Sequence, residues 1–174
     1  MDDAAHRGRR LARRAGEAAA REHPEVDHVV AHVSGGGAAD AHDGHGIRML
    51  ALSGVPAALL SGRASPAVAS RAAELGIERV LQGIDDKLAA FLHLVEKANL
   101  RVEQTGFMGD ELVDLPVLTR CGLSCAPREA PEAVRSRVHY VAAAPAGRGA
   151  VREVCELVMR AQGSLESALA AYLR

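Results

Sequence analysis

Three residues that could act on a phosphorylated ligand each follow a short apolar run of the sequence. They are Ser61, Lys87 and Asp110. A serine hydroxyl can donate a hydrogen bond to a phosphate oxygen, and a lysine ammonium can neutralise its charge. Carboxylate oxygens are the ligands that a hard cation such as Mg²⁺ prefers. The three residue types together therefore indicate an anion site beside a metal site.

Each of these residues also has an ordinary structural explanation. Ser61 precedes Gly62, and a serine before a glycine is common in turns and helix caps. Lys87 at the start of a helix opposes the helix dipole. A bound phosphate would offset that cost, but this segment taken alone favours an exposed lysine balanced by Asp85 and Asp86.

The acidic cluster after the apolar run Thr105–Met108 is the more specific signal. Asp110, Glu111 and Asp114 follow that run within six residues. Acidic residues also cap helix starts, which is the alternative explanation. However, an aspartate at the tip of a buried strand, with a second aspartate four residues later, favours a Mg²⁺ site.

Short apolar runs alternate with helical periodicity along the chain. Such alternation predicts βαβ units and a mainly parallel sheet between two helix layers, an α/β Rossmann-like three-layer sandwich without a large cap domain. Ligands of such sheets bind beyond the carboxyl ends of the strands. The predicted strands are Val26–Val33, Pro56–Leu60, Arg79–Leu81, Thr105–Met108, Leu123–Ala126 and Val138–Val141. The predicted helices are 47–53, 65–75, 85–98, 112–120, 131–136, 150–161 and 165–173.

The order serine, lysine and Gly-Asp cluster resembles motifs II, III and IV of the haloacid dehalogenase superfamily. The sequence around and between them is similar to the 3-deoxy-D-manno-octulosonate 8-phosphate phosphatase branch and to the phosphatase-like domains of acylneuraminate cytidylyltransferases. The resemblance covers about residues 43–163. It rests on the strings Asp43-Gly44-His45-Gly46-Ile47, Leu60-Ser61-Gly62-Arg63, Ala72-Ala73-Glu74-Leu75-Gly76-Ile77, Gln82-Gly83-Ile84-Asp85-Asp86-Lys87 and Gly147-Arg148-Gly149-Ala150-Val151-Arg152-Glu153.

The resemblance implies a Mg²⁺-dependent phosphomonoesterase acting on a phosphorylated sugar acid. Ser61 would bind the phosphoryl oxygens, and Lys87 would neutralise their charge. Asp110 would hold Mg²⁺, supported by Glu111 and Asp114.

The remaining site residues implied by the resemblance face the substrate. The loop Asp43–Gly46, including Gly44, and the turn residues Gly62 and Arg63 would contact it. The segment Gly147–Gly149, with Arg148, would approach the active site of a neighbouring subunit in a homotetramer.

The first family motif, Asp-x-Asp-Gly at the end of the first strand, is missing from the sequence. His32 stands where the nucleophilic aspartate belongs, and Ser34 stands where the acid/base aspartate belongs. The stretch Gly36–His42 is too short for the β-hairpin that relatives insert next. Little or no phosphatase activity is therefore expected, because removal of a covalent nucleophile costs several orders of magnitude in rate.

Three explanations of this departure stay open. The chain is a degenerate phosphatase that keeps phosphosugar binding, or its first forty residues derive from a shifted reading frame, or another nucleophile replaces the aspartate. A non-enzymatic alternative, a regulatory or structural homologue that binds a phosphosugar without turnover, also fits the retained residues.

Composition excludes several other functions. Only 2% of the 174 residues are aromatic and the net charge is -1, so neither base stacking nor a basic field favours nucleic acid or a membrane surface. An odd count of three cysteines without a CxxC spacing predicts a reduced, cytoplasmic protein. The predicted organisation is a polar N-terminal helix or disordered arm over 1–23, one domain over 24–163 and a helical tail over 164–174.

Overall fold

Parallel strands form one sheet through the centre of the protein. The structure, a computed structural model, describes residues 28–32 and 41–173. In those residues the sheet has six strands in the order β3-β2-β1-β4-β5-β6, and every neighbouring pair is parallel. The predicted α/β fold is thus confirmed. The strands are β1 (His28–His32), β2 (Ala57–Leu60), β3 (Arg79–Leu81), β4 (Thr105–Met108), β5 (Leu123–Ala126) and β6 (Tyr140–Val141).

Helices connect successive strands and cover both faces of the sheet. Two short 3₁₀ helices, Val102–Gln104 and Leu112–Asp114, flank β4. The α-helices are α1 (Ala41–Leu52), α2 (Pro66–Glu74), α3 (Lys87–Lys97), α4 (Leu115–Leu118), α5 (Glu132–Arg135), α6 (Ala150–Ala161) and α7 (Leu165–Ala170).

Two helix predictions were wrong in ways that have a physical cause. The first helix begins at Ala41 and not at Ile47, so Asp43–Gly46 is helical and not a loop. The predicted helix 112–120 is divided into a 3₁₀ turn and the four-residue α4. Pro116 explains the division, because its ring excludes the carbonyl four residues earlier from a continuous helix.

Two hydrophobic cores lie on opposite faces of the sheet. Consecutive strand residues alternate between them: Leu59 and Met108 face one core, whereas Leu60 and Phe107 face the other. The first core is closed by α1, α2, α6 and α7, and the second by α3, α4 and α5. Both faces of β4 and β5, and all but the first residue of β2, are therefore buried, which is why these strands appear in the sequence as continuous apolar runs.

The strand order fixes where a ligand can bind. The chain runs outward from β1 to β2 and β3, then returns to place β4 on the other side of β1. The connections therefore diverge between β1 and β4, and this divergence opens a crevice at the carboxyl ends of the strands.

The helices α1 and α6 pack closely at Gly46, on the buried side of α1. A methyl group on Gly46 would lie 2.7 Å from the Arg152 Cα atom at the start of α6. Backbone cannot retreat as a flexible side chain can, so the position admits only hydrogen.

Replacement of Gly46 by alanine should therefore lower the free energy of unfolding by about 1–3 kcal/mol. Urea denaturation followed by circular dichroism would measure the change. Arg48→Ala is the matched control, because Arg48 lies on the exposed side of the same helix. Equal stabilities of the two variants would contradict the close helix contact.

The predicted C-terminal tail begins where α6 ends. Gly163 has a φ of 72° between α6 and α7, and Leu165 of α7 is buried in the first core. The predicted arm over 1–23 lies outside the described residues, and the division into an arm, a domain and a tail stays a prediction. Within the part of the chain that the structure describes, no helix is long and apolar enough to cross a membrane.

Candidate active site

The candidate site lies at the carboxyl edge of the three central strands. His32, the last residue of β1, is opposite Leu60 of β2 in the parallel register. On the other side of β1, Ala31 is opposite Met108 of β4. The end of β1 therefore lies between Ser61, which follows β2, and Gly109, which follows β4.

Ser61 occupies a buried turn at the end of β2. Its hydroxyl donates to the Arg63 carbonyl at 2.9 Å and accepts from the Arg63 N–H at 3.1 Å. The Ser61 backbone is tied to the end of β3, since its N–H donates to Leu81 and its carbonyl accepts from Ile84. The turn predicted from sequence is present, and a rotation about the Cα–Cβ bond is enough to turn the hydroxyl toward an anion.

Lys87 forms a buried ion pair with Asp114. The Lys87 Nζ lies 2.5 Å from Asp114 Oδ1, and both side chains are almost completely shielded from solvent. Asp86 caps α3 by accepting from the Ala89 N–H. The structure therefore contradicts the alternative in which Lys87 is an exposed, solvated lysine. The Lys87 side chain reaches the Ser61 turn, since a methyl group on Gly62 would lie 3.9 Å from the Lys87 Cε atom.

Asp114 also holds the loop that follows β4. Its Oδ2 atom accepts from the N–H groups of Asp110 and Glu111, both at 3.1 Å. A methyl group on Gly109 would lie 2.6 Å from the Asp114 Cβ atom, so only glycine lets the carboxylate approach. Lys87 and the Asp110 loop thus have one common anchor, although 27 residues separate Lys87 from Asp114.

The expected three-carboxylate metal cluster is not formed. Glu111 is exposed, and both Asp114 oxygens already accept hydrogen bonds from other groups. Across the described residues, no group of three histidine, cysteine, aspartate or glutamate side chains is arranged to hold a metal ion. Asp110, half-buried at the end of β4, is the carboxylate of the three that fits a hard cation.

The Asp43–Gly46 segment is part of α1, where it contacts α2 and α6, and it does not form a loop. Asp43 is buried, and its Oδ1 atom accepts from the Arg152 N–H in the first turn of α6 at 3.1 Å. A methyl group on Gly44 would lie 2.7 Å from the Arg71 guanidinium of α2. In this arrangement Asp43 provides the capping acceptor that Gly149, at the start of α6, cannot provide.

Exposed arginines lie in the segments that follow β2, β5 and β6, and the sequence analysis named two of them. The predicted substrate residues Arg63 and Arg148 are exposed, and Gly62 lies in the Ser61 turn, where a methyl group would come within 3.4 Å of the Ile84 carbonyl. Arg128, which follows β5, is also exposed and was missed. Its position directly after the apolar run Leu123–Ala126 was the available signal.

The residues at the first-motif positions are described only in part. His32 ends β1, and the register places its backbone beside the Ser61 and Gly109 turns. Ser34 and the stretch 36–40 lie outside the described residues. The missing Asp-x-Asp-Gly string is a property of the sequence itself.

The three cysteines do not replace the missing carboxylate. All are free and buried. Burial raises the pKa of Cys121 and of Cys155 to about 12, and it also raises the pKa of Cys125 well above its ordinary value. A raised pKa keeps each thiol protonated at neutral pH, and the thiolate is the nucleophilic form.

Comparison with known proteins places this arrangement in a family. The sequence model of the haloacid dehalogenase-like hydrolases matches residues 70–154. The 3-deoxy-D-manno-octulosonate 8-phosphate phosphatase of Yersinia pestis is 41% identical over 129 residues, which are 74% of this chain and 69% of that protein. The chain belongs to the haloacid dehalogenase-like hydrolases. The Escherichia coli K12 protein of the same name is 42% identical over the same lengths.

Solved structures of family members have the same architecture. A probable YrbI-family phosphatase from Pseudomonas syringae superposes with a TM-score of 0.85 at 36% identity, covering 90% of this chain and 98% of that one. The Moraxella catarrhalis 3-deoxy-D-manno-octulosonate 8-phosphate phosphatase, solved with a magnesium ion, a phosphate ion and KDO, gives 0.83 at 29% identity, covering 88% and 97%. The family resemblance and the fold expected from the sequence are confirmed.

Proposed function

We propose that this chain binds a sugar-acid phosphate of the 3-deoxy-D-manno-octulosonate 8-phosphate type at the carboxyl edge of the sheet, and that its phosphatase turnover is strongly impaired. The observation that carries the proposal is the buried Lys87–Asp114 pair beside the Ser61 turn. An ammonium group and a hydroxyl group at one edge of the sheet are the donor types that suit a phosphoryl group.

The binding step uses residues that the fold already holds in place. Lys87 provides positive charge next to the phosphoryl group, in a site where low solvent exposure strengthens the attraction. On binding, the Ser61 hydroxyl donates its hydrogen bond to a phosphate oxygen instead of to the Arg63 carbonyl. Exposed Arg63 at the same turn adds charge at the entrance.

A divalent cation, Mg²⁺ by the chemistry of its ligand, would be held by Asp110. When bound, it would supply positive charge that screens the phosphate from the carboxylates. Asp114 supports this site indirectly, since it fixes the backbone that carries Asp110.

The expected loss of phosphatase turnover follows from the residue at the end of β1. Family members of this type attack phosphorus with an aspartate there, and this chain has His32 at that position. Imidazole brings neither the negative charge nor the oxygen ligand that a hard cation prefers. The chain would then act as a phosphosugar-binding or regulatory homologue, as a cytoplasmic homo-oligomer like that expected from the resemblance.

Titration calorimetry with 3-deoxy-D-manno-octulosonate 8-phosphate tests the proposal. Binding should require Mg²⁺, and phosphate release under the same conditions should be near background. Loss of a charge-assisted hydrogen bond should raise Kd by about 10- to 100-fold in Lys87→Met. Lys97→Met is the matched control, because Lys97 is exposed at the far end of the same helix.

A second variant protects this test against a folding defect in Lys87→Met. Ser61→Ala keeps the buried ion pair and should still weaken binding several-fold. Absence of binding by the unmodified chain in Mg²⁺ would overturn the proposed binding function. Robust Mg²⁺-dependent turnover would overturn the proposed impairment and favour the full phosphatase.

A further inference from the structure

Two loops at the carboxyl ends of β5 and β6 are held by carboxylates that bind backbone N–H groups. Glu153 of α6 accepts from the N–H groups of Ala143 and Ala144 at 3.0 and 3.1 Å, and from the Tyr140 hydroxyl. One side chain thus ties the segment after β6 to the first turn of α6. Backbone donors fix the path of a chain more directly than side-chain donors do.

A second carboxylate ties the two loops to each other. Glu129, in the loop after β5, accepts from the Ala146 N–H at 2.6 Å. In the same loop the Arg128 N–H donates to the Ala144 carbonyl at 3.3 Å. The loop after β5 and the segment after β6 therefore form one connected frame.

This frame carries two exposed arginines. The side chains of Arg128 and Arg148 have no hydrogen-bond or ion-pair partner among residues 41–173. Arg148 lies between Gly147 and Gly149, whose φ values of 65° and 106° define a tight turn that glycine adopts without strain. The two guanidinium groups thus take no part in anchoring the frame, and both are available to a ligand.

We propose that Arg128 and Arg148 form a second anion site that binds the carboxylate of the sugar acid, and that Glu129 and Glu153 are positioning residues for this pair. The inference rests on the proposed function and extends it by naming which end of the substrate each part of the edge binds. A planar guanidinium binds a carboxylate through two parallel hydrogen bonds, which suits this anion.

Sheet geometry separates this site from the phosphate site. The strand β6 is two positions from β4, and strands lie about 4.8 Å apart, so the two sites are roughly 10 Å apart along the edge. A ligand with one anion would contact one of the two sites. A sugar acid phosphorylated at the end opposite its carboxylate has two anions at a separation that reaches both.

Three ligands distinguish the two sites in calorimetry with the full chain and Mg²⁺. They are 3-deoxy-D-manno-octulosonate 8-phosphate, fructose 6-phosphate, which has no carboxylate, and inorganic phosphate. Arg128→Ala and Arg148→Ala should each weaken binding of the sugar acid by about 10- to 100-fold. Neither change should alter Kd for the other two ligands. Arg160→Ala, an exposed arginine at the far end of α6, is the matched control and should change nothing.

A double-mutant cycle tests the positioning role. Glu153→Ala should weaken sugar-acid binding about tenfold when Arg148 is present and have little further effect in the Arg148→Ala background. Glu153→Gln keeps one acceptor oxygen and should recover part of the affinity. Amide hydrogen exchange of residues 143–146 should increase in Glu153→Ala, since the anchoring bonds are lost.

The outcomes separate this inference from the function on which it rests. If the unmodified chain binds none of the ligands, the proposed function fails and the second site fails with it. If the chain binds the sugar acid but the arginine variants weaken all three ligands equally, the carboxylate site alone is overturned. If the Glu153 and Arg148 effects are simply additive, the positioning role is overturned.

Discussion

Replacement of Asp114 by alanine should lower the free energy of unfolding by about 3–5 kcal/mol. The change leaves the Lys87 ammonium buried without its carboxylate, 2.5 Å from where Oδ1 was. It also removes the acceptor for the N–H groups of Asp110 and Glu111. Urea denaturation monitored by circular dichroism would measure the loss, read as a lower midpoint at an unchanged slope.

Two further variants separate the causes of that loss. Lys87→Met/Asp114→Leu removes both charges, so it should be more stable than Asp114→Ala, although the two loop N–H groups still lack their acceptor. Glu111→Gln is the matched control, because Glu111 is exposed and its neutralisation should change stability by less than about 0.5 kcal/mol. A loss below about 1 kcal/mol in Asp114→Ala would show that the buried pair does not anchor the crevice.

Asp114 also shows where sequence reasoning stops. The acidic cluster was predicted to follow a buried strand, and it does follow β4. The partner of each carboxylate was not predictable, because Lys87 is 27 residues away and only the sheet brings the two together. The sequence therefore indicated a metal cluster where the structure has one carboxylate in an ion pair and one exposed.

The sheet itself was predictable for a different reason. Strands buried on both faces give continuous apolar runs, and the five runs from Pro56 to Val141 all correspond to strands. The start of α1 was missed because glycines usually end helices, whereas Gly44 and Gly46 admit the neighbouring Arg71 side chain and α6 backbone. From the sequence alone, a glycine that is needed for close packing cannot be distinguished from a glycine that is needed for a turn.

The frame around Arg128 and Arg148 was equally inaccessible from the sequence. Glu129 and Glu153 look like ordinary surface acids of a loop and a helix. Both carboxylates accept hydrogen bonds from backbone N–H groups of the segment after β6. Every residue except proline has such a group, so the residue types do not show which N–H groups a carboxylate will bind. The reverse holds for His32, whose significance comes entirely from a family pattern.

Introduction of aspartate at both first-motif positions should restore turnover. His32→Asp/Ser34→Asp would return a carboxylate nucleophile and an acid/base group to the end of β1, which lies between the Ser61 and Gly109 turns. Loss of a covalent nucleophile typically costs several orders of magnitude, so the gain should be at least about a thousandfold over the unmodified chain. Phosphate release from 3-deoxy-D-manno-octulosonate 8-phosphate in Mg²⁺ would measure it.

The controls use the same background. Adding Asp110→Ala to the double variant should abolish the recovered activity, because Asp110 is the carboxylate proposed to hold the cation. His32→Asp alone should recover less than the pair, since covalent attack without an acid/base group leaves the second step slow. The double variant could bind substrate as tightly as the unmodified chain and still release no phosphate. That result would show that the loss of activity has more causes than the side chains at positions 32 and 34. In that case the stretch Gly36–His42, which is too short for the hairpin expected from the family resemblance, becomes the segment to replace.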